Sequence, residues 1–253
     1  MGNKIYIVGM GPGKEEMMTA EAVNALERAD VIIGYTVYLD LLGKRFQGKE
    51  LISTPMRQEE ERCRLCFAQA RKGKKTALVC SGDAGVYGMA SLMYEIGKGY
   101  PDIELAVIPG VTAANSGAAV LGAPLNHDFC VISLSDLLTP WEIIEKRLLA
   151  AAEGDFAIAL YNPSSHKRKD YLERACGILL RVIEPGRACG YVENIGREGT
   201  KAAVCTLEEL KSARVNMFTT VFIGNSGSEI RNGKLITKRG YRVEGDIAVC
   251  GDN

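Results

Sequence analysis

Three times in its first 115 residues this chain runs from a short β-branched segment straight into glycines and then into a helical pattern. Lys4–Val8 (KIYIV) leads into Gly9-Met10-Gly11-Pro12-Gly13. The run KTALVC at 75–80 leads into Ser81-Gly82-Asp83-Ala84-Gly85-Val86-Tyr87-Gly88, and IELAVI at 103–108 leads into Pro109-Gly110-Val111-Thr112-Ala113-Ala114. Glycines at a strand end let the backbone turn sharply and let another backbone, or a ligand, come close to main-chain N–H groups. Repeated at successive strands, the pattern predicts an α/β fold with its permissive loops on one edge of a sheet, where α/β proteins bind ligands.

The rest of the chain extends that pattern. Thr19 is placed to cap a helix whose Ala22, Val23, Leu26 and Ala29 share one face. Further helices are expected over 58–72, 88–97 and 111–123, with a strand at ADVIIGY. After Pro124 a second series begins: strand 129–133, helix PWEIIEKRLLAAA, strand FAIALY, a helix over 167–182 and strand ACGYV. The tail segments KAAVCTL, TTVFIG and GKLIT read as strands without long helices between them, which points to a mixed, partly antiparallel sheet. The reading is two α/β domains, 1–120 and 121–253.

Composition excludes some functions. The 31 basic and 31 acidic residues balance, which is unlike a protein that coats nucleic acid. No apolar run approaches the length of a membrane span, and the first one ends at Gly9, so neither a signal peptide nor a membrane partner is expected. A soluble, cytoplasmic protein follows. Of the eight cysteines, most stand singly in apolar segments as reduced thiols do. Cys63 and Cys66 form a C-x-x-C, but no second pair completes a zinc set, so no metal is expected and two ordinary helix cysteines are the simpler reading.

A dinucleotide site fails on spacing. G-x-G-P-G is not G-x-G-x-x-G, its helix starts near Thr19, and the second strand runs into Gly34-Tyr35 without the ribose-binding acid. Asp83 suits ribose hydroxyls or an amine, or alternatively caps the helix that follows it.

In that order and spacing, GMGPG, SGD…YG and PGVTAA resemble the tetrapyrrole (precorrin) methyltransferase superfamily, over essentially the whole chain. GYTVYLDLL, LSDLLTPWEIIEKRL and ALYNPSSHKR further resemble its precorrin-3B C-17 methyltransferases and their cobalt-factor III counterparts. The resemblance implies two α/β domains enclosing a trough, S-adenosyl-L-methionine as methyl donor, a polycarboxylate tetrapyrrole as substrate and a homodimer. It also implies that Pro12 borders the cleft. Ser81, Gly82, Asp83, Val86, Thr112 and Ala113 would hold the donor, and Asn162 and Gly196 would close over its adenine. The first loop, with Gly11 and Gly13, would face the tetrapyrrole. Lys14, Arg57, Lys167, Arg168 and Arg197 are candidate cations for the substrate carboxylates, of which two or three are expected to matter. His127 and His166 are candidate bases, with a surface-loop role the competing reading for each. Other acceptors within the superfamily (diphthine, ribosomal-RNA ribose) and a non-catalytic nucleotide-binding module are the alternatives. The neutral charge and the SDLLTPW and YNPSS segments disfavour the RNA acceptor.

Overall fold

Alternation along the first strand decides how the amino-terminal half packs. Ile5 and Ile7 point to one face of a sheet, Val8 to the other, and all three are fully buried. A strand buried on both faces calls for helices on both sides and for parallel neighbours. The computed structural model, which describes residues 3–165 and 167–241, has that arrangement. In order along the chain come β1 (Asn3–Gly9), α1 (Ala20–Arg28), β2 (Val31–Tyr35), α2 (Thr36–Leu39), β3 (Glu50–Thr54), α3 (Glu59–Arg71), β4 (Thr76–Cys80), α4 (Ala90–Gly97), β5 (Ile103–Ile108) and α5 (Ala113–Leu121).

These five strands form one sheet in the order β3-β2-β4-β1-β5, parallel throughout. Among the described residues, mixed pairing of strands within one sheet is therefore confined to the second half of the chain. One face carries Ile5, Ile7, Val31, Ile33 and Leu78 against Cys63, Cys66 and Phe67 of α3 and Met93 of α4. The opposite face carries Val8, Ile32, Ala77 and Val79 against Ala22, Ala25 and Leu26 of α1 and against Phe46. Thr19 caps α1 as its sequence predicts, with Oγ1 accepting the Ala22 N–H at 3.1 Å. Cys63 and Cys66 are fully buried free thiols facing this core.

The second series comprises β6 (Gly122–Ala123), β7 (Phe129–Ser133), α6 (Trp141–Glu153), β8 (Ala157–Tyr161), α7 (Tyr171–Leu179), β9 (Ala188–Glu193), β10 (Lys201–Thr206), α8 (Leu207–Lys211), β11 (Thr219–Ile223), β12 (Ser228–Arg231) and β13 (Lys234–Thr237). Five of them make a sheet in the order β10-β9-β11-β8-β7. In it β7 runs parallel to β8, and β11 antiparallel to β8. A hairpin of β12 and β13 turns at Asn232-Gly233, both at positive φ (50° and 70°), the turn chemistry such a hairpin requires. β13 pairs with the short β6.

Contacts divide the chain into two compact units. The first holds the chain through Val120 together with Tyr191–Ala203 and Val215–Thr220. The second holds, among the described residues, those of Leu121–Gly190, Val204–Arg214 and 221–241. Among the described residues no helix is long and apolar enough to cross a membrane.

Candidate functional site

The strand order explains why three loops far apart in sequence touch. β4, β1 and β5 are neighbours in a parallel sheet, so the loops leaving their carboxyl ends emerge side by side. Gly11 and Gly82 pair like strand residues, with reciprocal N–H to carbonyl bonds of 3.0 and 2.7 Å. The third loop presses closer still. A Cβ on Gly110 would lie 2.1 Å from the Gly82 carbonyl oxygen and 2.5 Å from that of Gly9. Only glycine permits that approach, and the contact leaves no room for a ligand between these backbones. They form a floor.

Asp83 ties the floor together. Its Oδ1 accepts the N–H groups of Gly85 (2.7 Å) and Val86 (3.1 Å), and its Oδ2 accepts the Gly110 N–H at 2.9 Å. It therefore shapes its own loop and holds the next one as well. The other side of Gly82 packs on the third loop. With φ at +69°, its Cβ direction meets nothing nearer than the Thr112 Cα at 3.6 Å and the Ala113 nitrogen at 3.7 Å. Gly82 is therefore in van der Waals contact with the backbone of Thr112 and Ala113, at the start of a nine-residue helix.

The first loop is held from its far side too. Lys14 N–H donates to the Gly196 carbonyl at 2.8 Å, and a Cβ on Gly13 would lie 2.2 Å from that same oxygen. Arg197, next in the chain, donates from Nε to the Pro12 carbonyl (3.2 Å) and from Nη2 to Ser81 Oγ (3.4 Å), with its guanidinium 5.1 Å from the centre of the Phe218 ring. Burial lowers its pKa from the ordinary arginine value. Burial likewise raises the phenol of Tyr38, against the opposing pull of the nearby Arg197 charge.

The structure thus brings together Gly11, Pro12, Gly13, Ser81, Gly82, Asp83, Val86, Thr112, Ala113, Gly196 and Arg197. Lys14 joins them through its backbone, its side chain being exposed. Arg57 follows β3 on the same sheet edge, exposed and in the left-handed region (φ 68°), which is strained for an arginine.

The remaining candidates lie in the second unit. Asn162 follows β8 directly, at φ 55°, and donates from Nδ2 to Ser133 Oγ at 2.9 Å. Lys167 is exposed. Arg168 is already paired, its Nε 2.5 Å from Asp136 Oδ1. His127 stands two residues before β7, so roughly 20 Å of strand separates it from Ser133 and Asn162 at the other end. Its Nδ1 accepts the Asp128 N–H at 2.8 Å. His166 lies outside the described residues.

Sequence reasoning passed over Arg62 and Tyr38. Arg62 had a readable signal: it falls on the helical stripe of Cys66 and Ala70, where a cation is out of place.

Residues 4–211 match the model of the Tetrapyrrole (Corrin/Porphyrin) Methylases. This chain belongs to that family. A "Probable cobalt-factor III C(17)-methyltransferase" of Salmonella typhimurium is 45% identical over 241 residues, covering 94% of this chain and 100% of the relative. A "Precorrin-3B C(17)-methyltransferase" of Sinorhizobium sp is 40% identical, covering 91% and 92%. Among solved structures, the methyltransferase CobJ superposes with a TM-score of 0.85 at 37% identity, over 92% of this chain and 99% of that one. The fold is shared more widely. Uroporphyrin-III C-methyltransferase from Thermus thermophilus, complexed with S-adenyl homocysteine, gives a TM-score of 0.69 at 20% identity, covering 87% and 97%.

Proposed function

We propose that this chain is an S-adenosylmethionine-dependent C-methyltransferase of cobalamin biosynthesis, acting at C-17 of cobalt-factor III or precorrin-3B with linked contraction of the ring. The observation that carries this reading is the 45% identity to a C(17)-methyltransferase relative along that relative's entire length. The meeting of the three glycine loops at one sheet edge supports the donor half of it.

The donor supplies a methyl group on a positively charged sulfur. The chain's task is to hold donor and acceptor in line, and such positioning contributes up to about 7–11 kcal/mol. Gly82, Thr112 and Ala113 present backbone to the donor, and Ser81 Oγ adds a polar contact at the rim. Asp83 acts by keeping the second and third loops in register, because both of its oxygens are already engaged within the fold. Gly196 is proposed as a further residue of the donor site. Gly196 acts through its grip on the first loop, since its carbonyl is bound to Lys14 N–H.

Arg197 and Arg57 are the proposed cations for acceptor carboxylates, neither forming an ion pair among the described residues. Pro12, Gly11 and Gly13 shape the acceptor side of the same loop. No general base is assigned.

Incubating the protein with S-adenosylmethionine and either cobalt-factor III or precorrin-3B, followed by mass spectrometry of the macrocycle, tests the proposal. One added methyl group on one of the two is the expected result, and it identifies the acceptor. Donor binding with no methylation of either would overturn it.

A further inference from the structure

Arg62 is 3% exposed, inside the core formed by α3 and the parallel sheet. Its Nε donates to Thr54 Oγ1 at 2.6 Å, its Nη2 to the Pro55 carbonyl at 2.9 Å and its Nη1 to Met89 Sδ at 3.4 Å. All three acceptors are neutral, and Arg62 forms no ion pair among the described residues. Burying a cation without an anion is costly, and hydrogen bonds to neutral acceptors offset only part of that cost. Packing alone therefore does not explain an arginine at this position.

Its partners suggest what does. Thr54 is the last residue of β3, and Pro55 begins the turn that places Arg57 at φ 68° on the sheet edge. Met89 closes the loop that began at Ser81, immediately before α4. Arg62 thus fastens the Arg57 turn to the far end of the donor loop. Its charge also reaches Tyr38 and Cys80, and Tyr38 feels Arg197 as well. Three arginines, 57, 62 and 197, lie on or under one edge of the sheet, with no acid paired to any of them among the described residues. Because Glu59, Glu60 and Glu61 open α3 beside them, any carboxylate held here is held by direct contact with an arginine rather than by a general excess of positive charge.

We propose that Arg62 is a positioning residue for the acceptor. Through Thr54 and Pro55 it holds the strained turn from which Arg57 contacts a carboxylate of the tetrapyrrole. The inference rests on the tetrapyrrole reading given above.

The test is a double-mutant cycle on the full chain, with Arg62→Met, Arg57→Ala and the double variant. Arg62→Met gains from removing a buried charge but leaves Thr54 Oγ1 and the Pro55 carbonyl without their donor, so it should stay folded with its melting temperature within a few degrees of wild type and bind S-adenosyl homocysteine within about twofold. Its KM for the accepted tetrapyrrole should rise on the order of tenfold, the usual scale for losing a charge-assisted contact. In the Arg57→Ala background the same substitution should add little. Arg62→Lys, which keeps the charge but not the fork of donors, covers the case of a poorly folding methionine variant. Its KM increase should likewise vanish in the Arg57→Ala background. An unchanged tetrapyrrole KM, or fully additive effects, would overturn the inference. A wild-type chain that binds no tetrapyrrole removes the underlying reading and this inference together. Binding by wild type with silent variants removes the inference alone.

Discussion

The carboxylate of Asp83 accepts the backbone N–H of Gly110 at 2.9 Å, across 27 positions of sequence. Its other oxygen is spent on Gly85 and Val86. One side chain therefore sets both the shape of the second glycine loop and its distance from the third. In Asp83→Asn the amide can keep one acceptor, but its NH2 cannot accept from Gly110. Leaving that N–H unmet costs about 1–3 kcal/mol, toward the lower end for a half-buried site. The melting temperature should fall by a few degrees, and S-adenosyl homocysteine affinity by about tenfold, as read by calorimetry. Wild-type values for both would mean that the backbone contacts alone hold the loops.

Glycine is required at Gly110 for a different reason, and a paired substitution isolates it. A Cβ there would sit 2.1 Å from one backbone oxygen and 2.5 Å from another, and neither can swing aside as a side chain can. Gly110→Ala should therefore destabilise the protein by about 1–3 kcal/mol or more and abolish donor binding. Gly177, inside α7, has nothing within 4 Å of its Cβ position. Gly177→Ala should stabilise by about 0.5–1 kcal/mol through helix propensity and lower chain entropy. Urea denaturation of both variants checks the pair. Equal effects would remove the steric argument.

Legibility in the sequence followed the range of the interaction. The three loops were visible because strand, glycines and helix are consecutive, and α1 because Thr19 and its apolar face are local. β3 (ELIST) and β12 (SEIR) gave no readable signal: both are largely exposed edge strands with few inward residues. That Gly196 and Arg197 lock onto the first loop could not be read from motifs, since the contact joins backbones more than 180 positions apart. The neutralisation of Arg168 by Asp136 was hidden for the same reason. An isolated cation in a loop says nothing about the acid that folds against it.

Burial also fixes how the thiols answer to alkali. It pushes Cys63 and Cys176 up to about 12, and Cys80, Cys130 and Cys205 up to about 11. In the unfolded chain thiols ionise near the ordinary value of 9.0. Between pH 9 and 12 the unfolded state therefore binds fewer protons than the folded one, and stability falls as pH rises through that window. Denaturant midpoints should drop between pH 8 and pH 10. The drop should be smaller in Cys63→Ala, whose cavity cost is the same at both values. An identical drop in that variant would show that other groups govern alkaline stability.

Two arginines with similar claims on an anionic substrate are separated by what surrounds them. Arg168 has its Nε 2.5 Å from Asp136, and Tyr171 donates to the same carboxylate at 2.5 Å. The Tyr171 hydroxyl, helped by the Arg168 charge, holds the Asp136 carboxyl below its usual range. That pairing therefore persists at neutral pH, and it weakens only as pH falls through the lowered value. Arg197, by contrast, spends its donors on a carbonyl and a hydroxyl, with its charge unmatched by any acid among the described residues. An incoming carboxylate gains the full interaction with Arg197, whereas at Arg168 it must compete with Asp136. Arg197→Ala should thus raise the tetrapyrrole KM by about tenfold or more, and Arg168→Ala by clearly less. Asp136→Asn should lower the KM if Arg168 lies within reach of the substrate, and leave it unchanged otherwise. Steady-state kinetics on the three variants decides between the two arginines. A larger KM effect at Arg168 than at Arg197 would reverse the assignment of the substrate-facing cation.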